Sequence, residues 1–74
     1  PDKAALLAGV TAEFALDPTA CFMVGDRHHD IEAGRRNGMQ TIWVEWGYGD
    51  DAEREATRPD HVVASFDELV RVIA

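Results

Sequence analysis

Apolar residues recur along this chain in two rhythms, and the switching between them predicts an order of elements. Lys3 to Ala15 reads as a helix. It is rich in Ala and Leu, and Leu7, Val10 and Phe14, with Leu6 alongside, recur at helical spacing to make one apolar face. Asp2 is placed to cap it, and Leu16-Asp17-Pro18 ends it, because proline disfavours helical geometry in the residue before it. Cys21 to Val24 is short, uncharged and β-competent, and reads as a buried strand. A helix from His28 to about Asn37 closes on Arg35 and Arg36, then Asn37-Gly38, a left-handed cap. Ala33 and Gly34 leave part of its surface small enough to lie close on a sheet.

Met39 to Val44 is the second predicted strand. Ile42 and Val44 point to one side and Thr41 and Trp43 to the other, so both faces are largely apolar, as in a covered parallel sheet. Trp46-Gly47-Tyr48-Gly49 is a glycine-punctuated turn at its carboxyl end. Asp50 caps a short helix through about Ala56, with Glu53 at capping-box spacing, and Thr57-Arg58-Pro59 stops it. His61 to Ala64 is a short third strand. Ser65-Phe66-Asp67-Glu68 is a second capping box, opening a helix with a Phe66, Leu69, Val70, Ile73 stripe. The alternation of helices and strands with short connections predicts an α/β fold with parallel strands, right-handed crossovers and helices on both faces.

The chemistry concentrates where the first strand gives way to its helix. Gly25 permits a tight turn, Asp26 follows at the strand's carboxyl end, and Asp30 falls in the first helical turn. Two readings are open. Asp after a strand commonly caps the next helix, and Asp in a first turn complements the dipole. Alternatively, two oxygen-only side chains at the edge where open α/β sheets bind ligands suit a hard cation such as Mg²⁺. Lys3 stands in a first turn, where a cation opposes the macrodipole by about 0.3–1 kcal/mol. Its ammonium is either simply solvated or needed elsewhere. His28 and His29 are adjacent on a helix and point about 100° apart, so they are expected to be solvated, or to stand behind the ligands of a site, rather than to be paired ligands. No glycine-rich dinucleotide loop, phosphate-binding Gly-Lys-Ser/Thr, His-Glu-x-x-His or Gly-x-Ser-x-Gly occurs.

Composition narrows the partners. With 74 residues there is room for one small domain, burying only about 60% of its unfolded surface. A net charge of −7, with Arg35-Arg36 the one basic pair, argues against nucleic acid and anionic membrane. It does not argue against a small phosphorylated substrate, since a metal ion can supply the local positive charge. The single Cys21 can form no internal disulfide, and no long apolar run is present, so a cytoplasmic setting is expected. Pro1-Asp2-Lys3 leads straight into a helical pattern, as though the sequence opened partway through a domain.

Met23-Val24-Gly25-Asp26-Arg27-His28-His29-Asp30 through Asn37-Gly38 resembles the fourth motif, Gly-Asp-x-x-x-Asp, of the haloacid dehalogenase superfamily. Together with Trp46-Gly47-Tyr48-Gly49 and the ending Arg58-Pro59-Asp60-His61-Val62 to Leu69, it is similar to the phosphoglycolate phosphatase-like branch. The resemblance covers essentially the whole chain. It implies a Rossmann-like three-layer fold, with residues 1–74 forming the carboxyl-terminal part of the core domain. It implies that Asp26 binds Mg²⁺ directly, that Asp30 supports the metal directly or through water, and that Lys3 holds nucleophile and phosphate. Gly25 and Arg27 line that site without an assigned chemical role. The family's nucleophile is the first Asp of Asp-x-Asp-x-Thr/Val, which is absent here, as are its Ser/Thr phosphate motif and its cap. These residues alone are therefore expected to be inactive and to need the remainder of a parent chain. The strand at Cys21–Val24 is left with a bare edge through which the chain could self-associate. The competing reading is a non-catalytic flavodoxin-like or receiver-type module that binds a cation.

Overall fold

The computed structural model describes residues 2–74. Its elements are α1 (Lys3–Glu13), β1 (Phe22–Gly25), α2 (His28–Arg36), β2 (Gln40–Val44), α3 (Asp51–Thr57), β3 (His61–Val63) and α4 (Phe66–Ile73), with a single 3-10 turn at Pro18–Ala20. The strands form one parallel sheet in the order β1-β2-β3. This is the Rossmann-like α/β architecture, with helices on both faces.

The pleat sorts the sheet residues into two sets. Met23, Thr41, Trp43 and Val62 share one face; Phe22, Val24, Ile42, Val44 and Val63 share the other. On the first face α2 comes very close to the sheet, because Ala33 and Gly34 are buried and small. A methyl group added at Gly34 would lie 2.5 Å from Met23 Cβ and 3.2 Å from Thr41 Cγ2. α1 packs on α2, and Asn37 ties the two together by donating from Nδ2 to the carbonyls of Ala4 (3.0 Å) and Ala33 (2.9 Å). On the second face Ile42, Val44 and Val63 form the core, with Phe22 and, from α4, Leu69 and Val72 packed against it.

Thr41 is fully buried yet satisfied. Its hydroxyl donates to Asp60 Oδ2 (3.0 Å) and accepts from the Asp60 amide (3.0 Å), while its own amide donates to the same carboxylate (2.8 Å). Those bonds, the Thr41 amide's foremost, hold the Asp60 carboxyl below its usual range.

Several expectations need correction. α1 stops at Glu13 rather than Ala15, because Ala15 adopts a left-handed backbone (φ 53°) and the Leu16 amide turns back to the Thr11 carbonyl (2.8 Å). No glycine announces that stop. The apolar face predicted for α1 is not its packed face: Leu6, Val10 and Phe14 are exposed, and the buried residues are Ala4 and Thr11. Small residues let α1 approach α2, and the larger ones stay outside. β1 begins at Phe22 and is not buried, with Val24 41% exposed, because no strand lies on its outer side among the described residues. Cys21 precedes the strand, its thiol turned to the Asp17 carbonyl (3.3 Å). In α4 the inward residues are Leu69 and Val72, whereas Phe66, Val70 and Ile73 of the predicted stripe are largely exposed.

Candidate active site

The carboxyl end of β1 sits against the β2–α3 connection, and glycines allow the approach. Asp26 is half-buried, and its Oδ2 accepts the Tyr48 amide at 2.9 Å. Any side chain at Gly47 would collide with the Asp26 carboxyl group, and one at Gly49 with the Asp26 carbonyl and the Trp43 ring. Tyr48 and Trp46 themselves are exposed. Asp26 is therefore not a cap for α2: the N-cap position belongs to Arg27, which makes no side-chain capping bond. That removes one of the two readings open for Asp26 in the sequence.

Asp30 stands in the first turn of α2, with its side chain 13% exposed. It lies against Gly25, where an added methyl would come 2.8 Å from Asp30 Oδ2, so the strand's last residue must be glycine for α2 to start here. Its Oδ1 takes the Lys3 ammonium from the opening of α1, 27 residues earlier. The cation misplaced for its own helix thus has a carboxylate partner in another. The structure brings Lys3, Gly25 and Asp30 together, and separately Asp26 with the Gly47–Gly49 turn. Among the described residues the two carboxylates share no partner.

Arg27 turns away along the surface to Glu53 of α3, its Nε donating to Oε2 (3.0 Å) and Oε1 (3.3 Å). Glu53 Oε2 also accepts the His28 amide (2.6 Å) and sits 2.9 Å from His28 Nδ1. Hydrogen bonds from Arg27, then from the His28 amide and ring, pull the Glu53 carboxyl down to about 2. Its capping-box role is only half met. The Glu53 amide donates to Asp50 Oδ1 (2.8 Å), but its side chain serves α2 instead of returning to Asp50. His29 is exposed, and His61 pairs with Gln40 at the sheet edge (3.1 Å).

Glu53 is the residue that the sequence analysis missed. The sequence carried no signal for it, because Asp26 could itself have capped this helix; only with Arg27 at the N-cap position do the first amides need a distant acceptor.

Asp26 and Asp30 offer hard oxygen donors, of the kind Mg²⁺ takes from one or two carboxylates while keeping several waters. Each has one oxygen engaged in the bonds above and another outside them. The donor chemistry fits Mg²⁺, though among the described residues no three side chains of His, Cys, Asp or Glu converge, and no cavity borders the pair. The arrangement is an open ledge rather than a cleft.

A parallel α/β sheet with two acidic groups at the carboxyl end of an edge strand is a Rossmann-like arrangement, a class in which ligands bind at that edge. Comparison with known proteins narrows that class. Residues 2–69 match the HAD-hydrolase-like family, and the chain belongs to that family. It is 37% identical over 57 residues to the pyrophosphatase PpaX of Bacillus mycoides, covering 77% of this chain and 26% of that protein. It is 40% identical over 53 residues to a 5'-nucleotidase of Pseudomonas aeruginosa, covering 72% and 24%. In fold it is similar to a haloacid dehalogenase-like family hydrolase from Streptococcus pneumoniae, with a TM-score of 0.90 at 24% identity, covering 100% of this chain and 35% of that one. The chain thus spans about a quarter of the curated relatives it matches. No helix among the described residues is long and apolar enough to cross a membrane.

Proposed function

We propose that these residues form the metal-binding part of a Mg²⁺-dependent phosphatase that hydrolyses small phosphomonoesters. The observation that carries this is Lys3 meeting Asp30 beside the Gly25-Asp26 turn, within a chain of the HAD-hydrolase-like family. The named relatives, a pyrophosphatase and a 5'-nucleotidase, act on different compounds but share cleavage of a bond to phosphorus. Phosphoglycolate stands first as substrate, by the resemblance of the motif, with nucleoside monophosphates and small sugar phosphates as alternatives.

Asp26, and Asp30 with it, would hold the metal, which when bound neutralises phosphate charge. Asp30 holds the Lys3 ammonium at the sheet edge, where it can attract the phosphate and the attacking carboxylate. The Tyr48 amide fixes the rotamer of Asp26. An aspartate from outside these residues attacks phosphorus and displaces the alcohol, and water then cleaves the aspartyl-phosphate to inorganic phosphate. The 74 residues by themselves are accordingly inactive, and the open side of β1 is where the remainder of the protein, or a second copy, would pair.

Asp26→Asn in the full protein tests this reading. It should lower kcat/KM for phosphoglycolate by about 100-fold, or about 2.7 kcal/mol of transition-state stabilisation, and weaken the Mg²⁺ dependence. Unchanged turnover would remove Asp26 from the site.

A further inference from the structure

α2 opens with no cap of its own, since Arg27 at the N-cap position contributes no side-chain bond. The first amides of a helix need acceptors from elsewhere. One is met by Glu53, 25 residues later, whose Oε2 takes the His28 amide at 2.6 Å while both its oxygens hold Arg27 Nε. This carboxylate is 19% exposed and closes the turn between Asp26 and Asp30 from the outside.

A second clamp joins the same two helices at their other ends. Arg35 Nη2 donates to the carbonyls of Thr57 (2.5 Å) and Arg58 (2.6 Å), where α3 stops. α3 is thereby braced along α2 from end to end. The segment leading into α3 also supplies the Tyr48 amide to Asp26 and presses Gly47 and Gly49 against it. The turn carrying the carboxylates is therefore set by β2–α3 together with its own Gly25. Arg27 neutralises Glu53, so this brace adds no net charge beside Asp26.

We infer that Glu53 is a positioning residue, acting through the Arg27 side chain and the His28 amide to hold the Asp26–Asp30 turn in its cation-binding shape. The inference rests on the reading of Asp26 as a Mg²⁺ ligand. Outer partners of metal ligands typically govern affinity by about 10- to 100-fold. A helix cap with no such duty would alter stability alone.

The experiment measures Mg²⁺ binding to the metal-free full protein by titration calorimetry, for wild type, Glu53→Ala, Glu53→Gln, Asp26→Asn and Ser65→Ala. Amide hydrogen exchange at His28 is followed without metal. Glu53→Ala should weaken Mg²⁺ binding about 10- to 100-fold and accelerate His28 exchange. Glu53→Gln should lose less, because its carbonyl oxygen still accepts the His28 amide. Ser65→Ala removes the cap of α4, bonded to the Glu68 amide at 3.2 Å, and should lower the melting temperature while leaving Mg²⁺ affinity within about twofold of wild type. Glu53→Ala with wild-type affinity overturns the inference, and so does unaltered His28 exchange. Asp26→Asn with wild-type Mg²⁺ affinity overturns the reading beneath it, and the metal-free exchange then still reports whether Glu53 holds the turn.

Discussion

The two faces of the sheet are built from similar residues; each buries its centre and leaves a different edge strand exposed. On the α2 face, Thr41 and Trp43 are no more than 1% exposed, under a helix whose own Ile31 and Ala33 are buried, but Val62 of β3 is 44% exposed. On the α4 face Ile42 and Val63 are as well hidden, but Val24 of β1 is 41% exposed and α4 shows Phe66, Val70 and Ile73 to solvent. The difference lies in helix placement rather than hydrophobicity. α2 follows β1 directly and its small residues let it settle over β1 and β2, leaving β3 open on that side, whereas α4 follows β3 and leaves β1 bare on its own. Coverage is set by connection order, and a strand at the sheet edge is the last to receive it.

Mutations can break or sharpen this contrast. Ile42→Ala empties the centre of the α4 face and should cost about 2–5 kcal/mol in chemical unfolding of the full protein. A loss below about 1 kcal/mol would mean that this face is loosely packed throughout, not only above β1. Gly34→Ala drives a methyl between α2 and Met23, and the expected loss is about 1–3 kcal/mol. Wild-type stability there would mean that α2 can lift off the sheet at no cost.

The Glu53 clamp belongs to the α2 side and should give that side a dependence on pH. Its folded carboxyl lies at about 2, below the ordinary value of 4.5. The stabilisation is thus complete above about pH 4.5 and fades as pH falls toward 2. Melting temperatures of wild type and Glu53→Gln, compared at successive pH values, should differ at neutrality and converge in that acid range. A constant gap would refute the assignment. The smallest effect is expected at Phe66→Ser. Its side chain is 68% exposed, so stability should change by no more than about 0.5 kcal/mol. A loss above about 1.5 kcal/mol in the full protein would show that the open face is covered there by other residues.

Much of the frame was legible because its causes are local. Asp50 and Ser65 cap α3 and α4 as their spacing predicts, each accepting the amide three residues on. Gly38 takes the left-handed position after α2 (φ 77°), and the alternation through Thr41, Ile42, Trp43 and Val44 marks a strand buried on both faces. Glu68 shows how far local reading reaches: its carboxylate returns to the Ala64 amide (2.9 Å), one residue before the expected Ser65 amide. For the candidate site, the motif indicated Asp26, Asp30 and Lys3 by resemblance. The ion pair between Lys3 and Asp30 could be anticipated only as a cation out of place.

By itself, then, the sequence determined the kind and order of the elements, the caps of α3 and α4, which residues alternate across the sheet, and that two carboxylates flank one turn. Those features depend on backbone geometry within a few residues, which a linear chain states openly. Tertiary structure alone decided that Glu53 leaves its own helix to cap another, and that α1 packs through Ala4 and Thr11 rather than its larger residues. Each of these is a competition among distant partners for the same amide or the same surface. Its outcome depends on which of them the fold brings within reach.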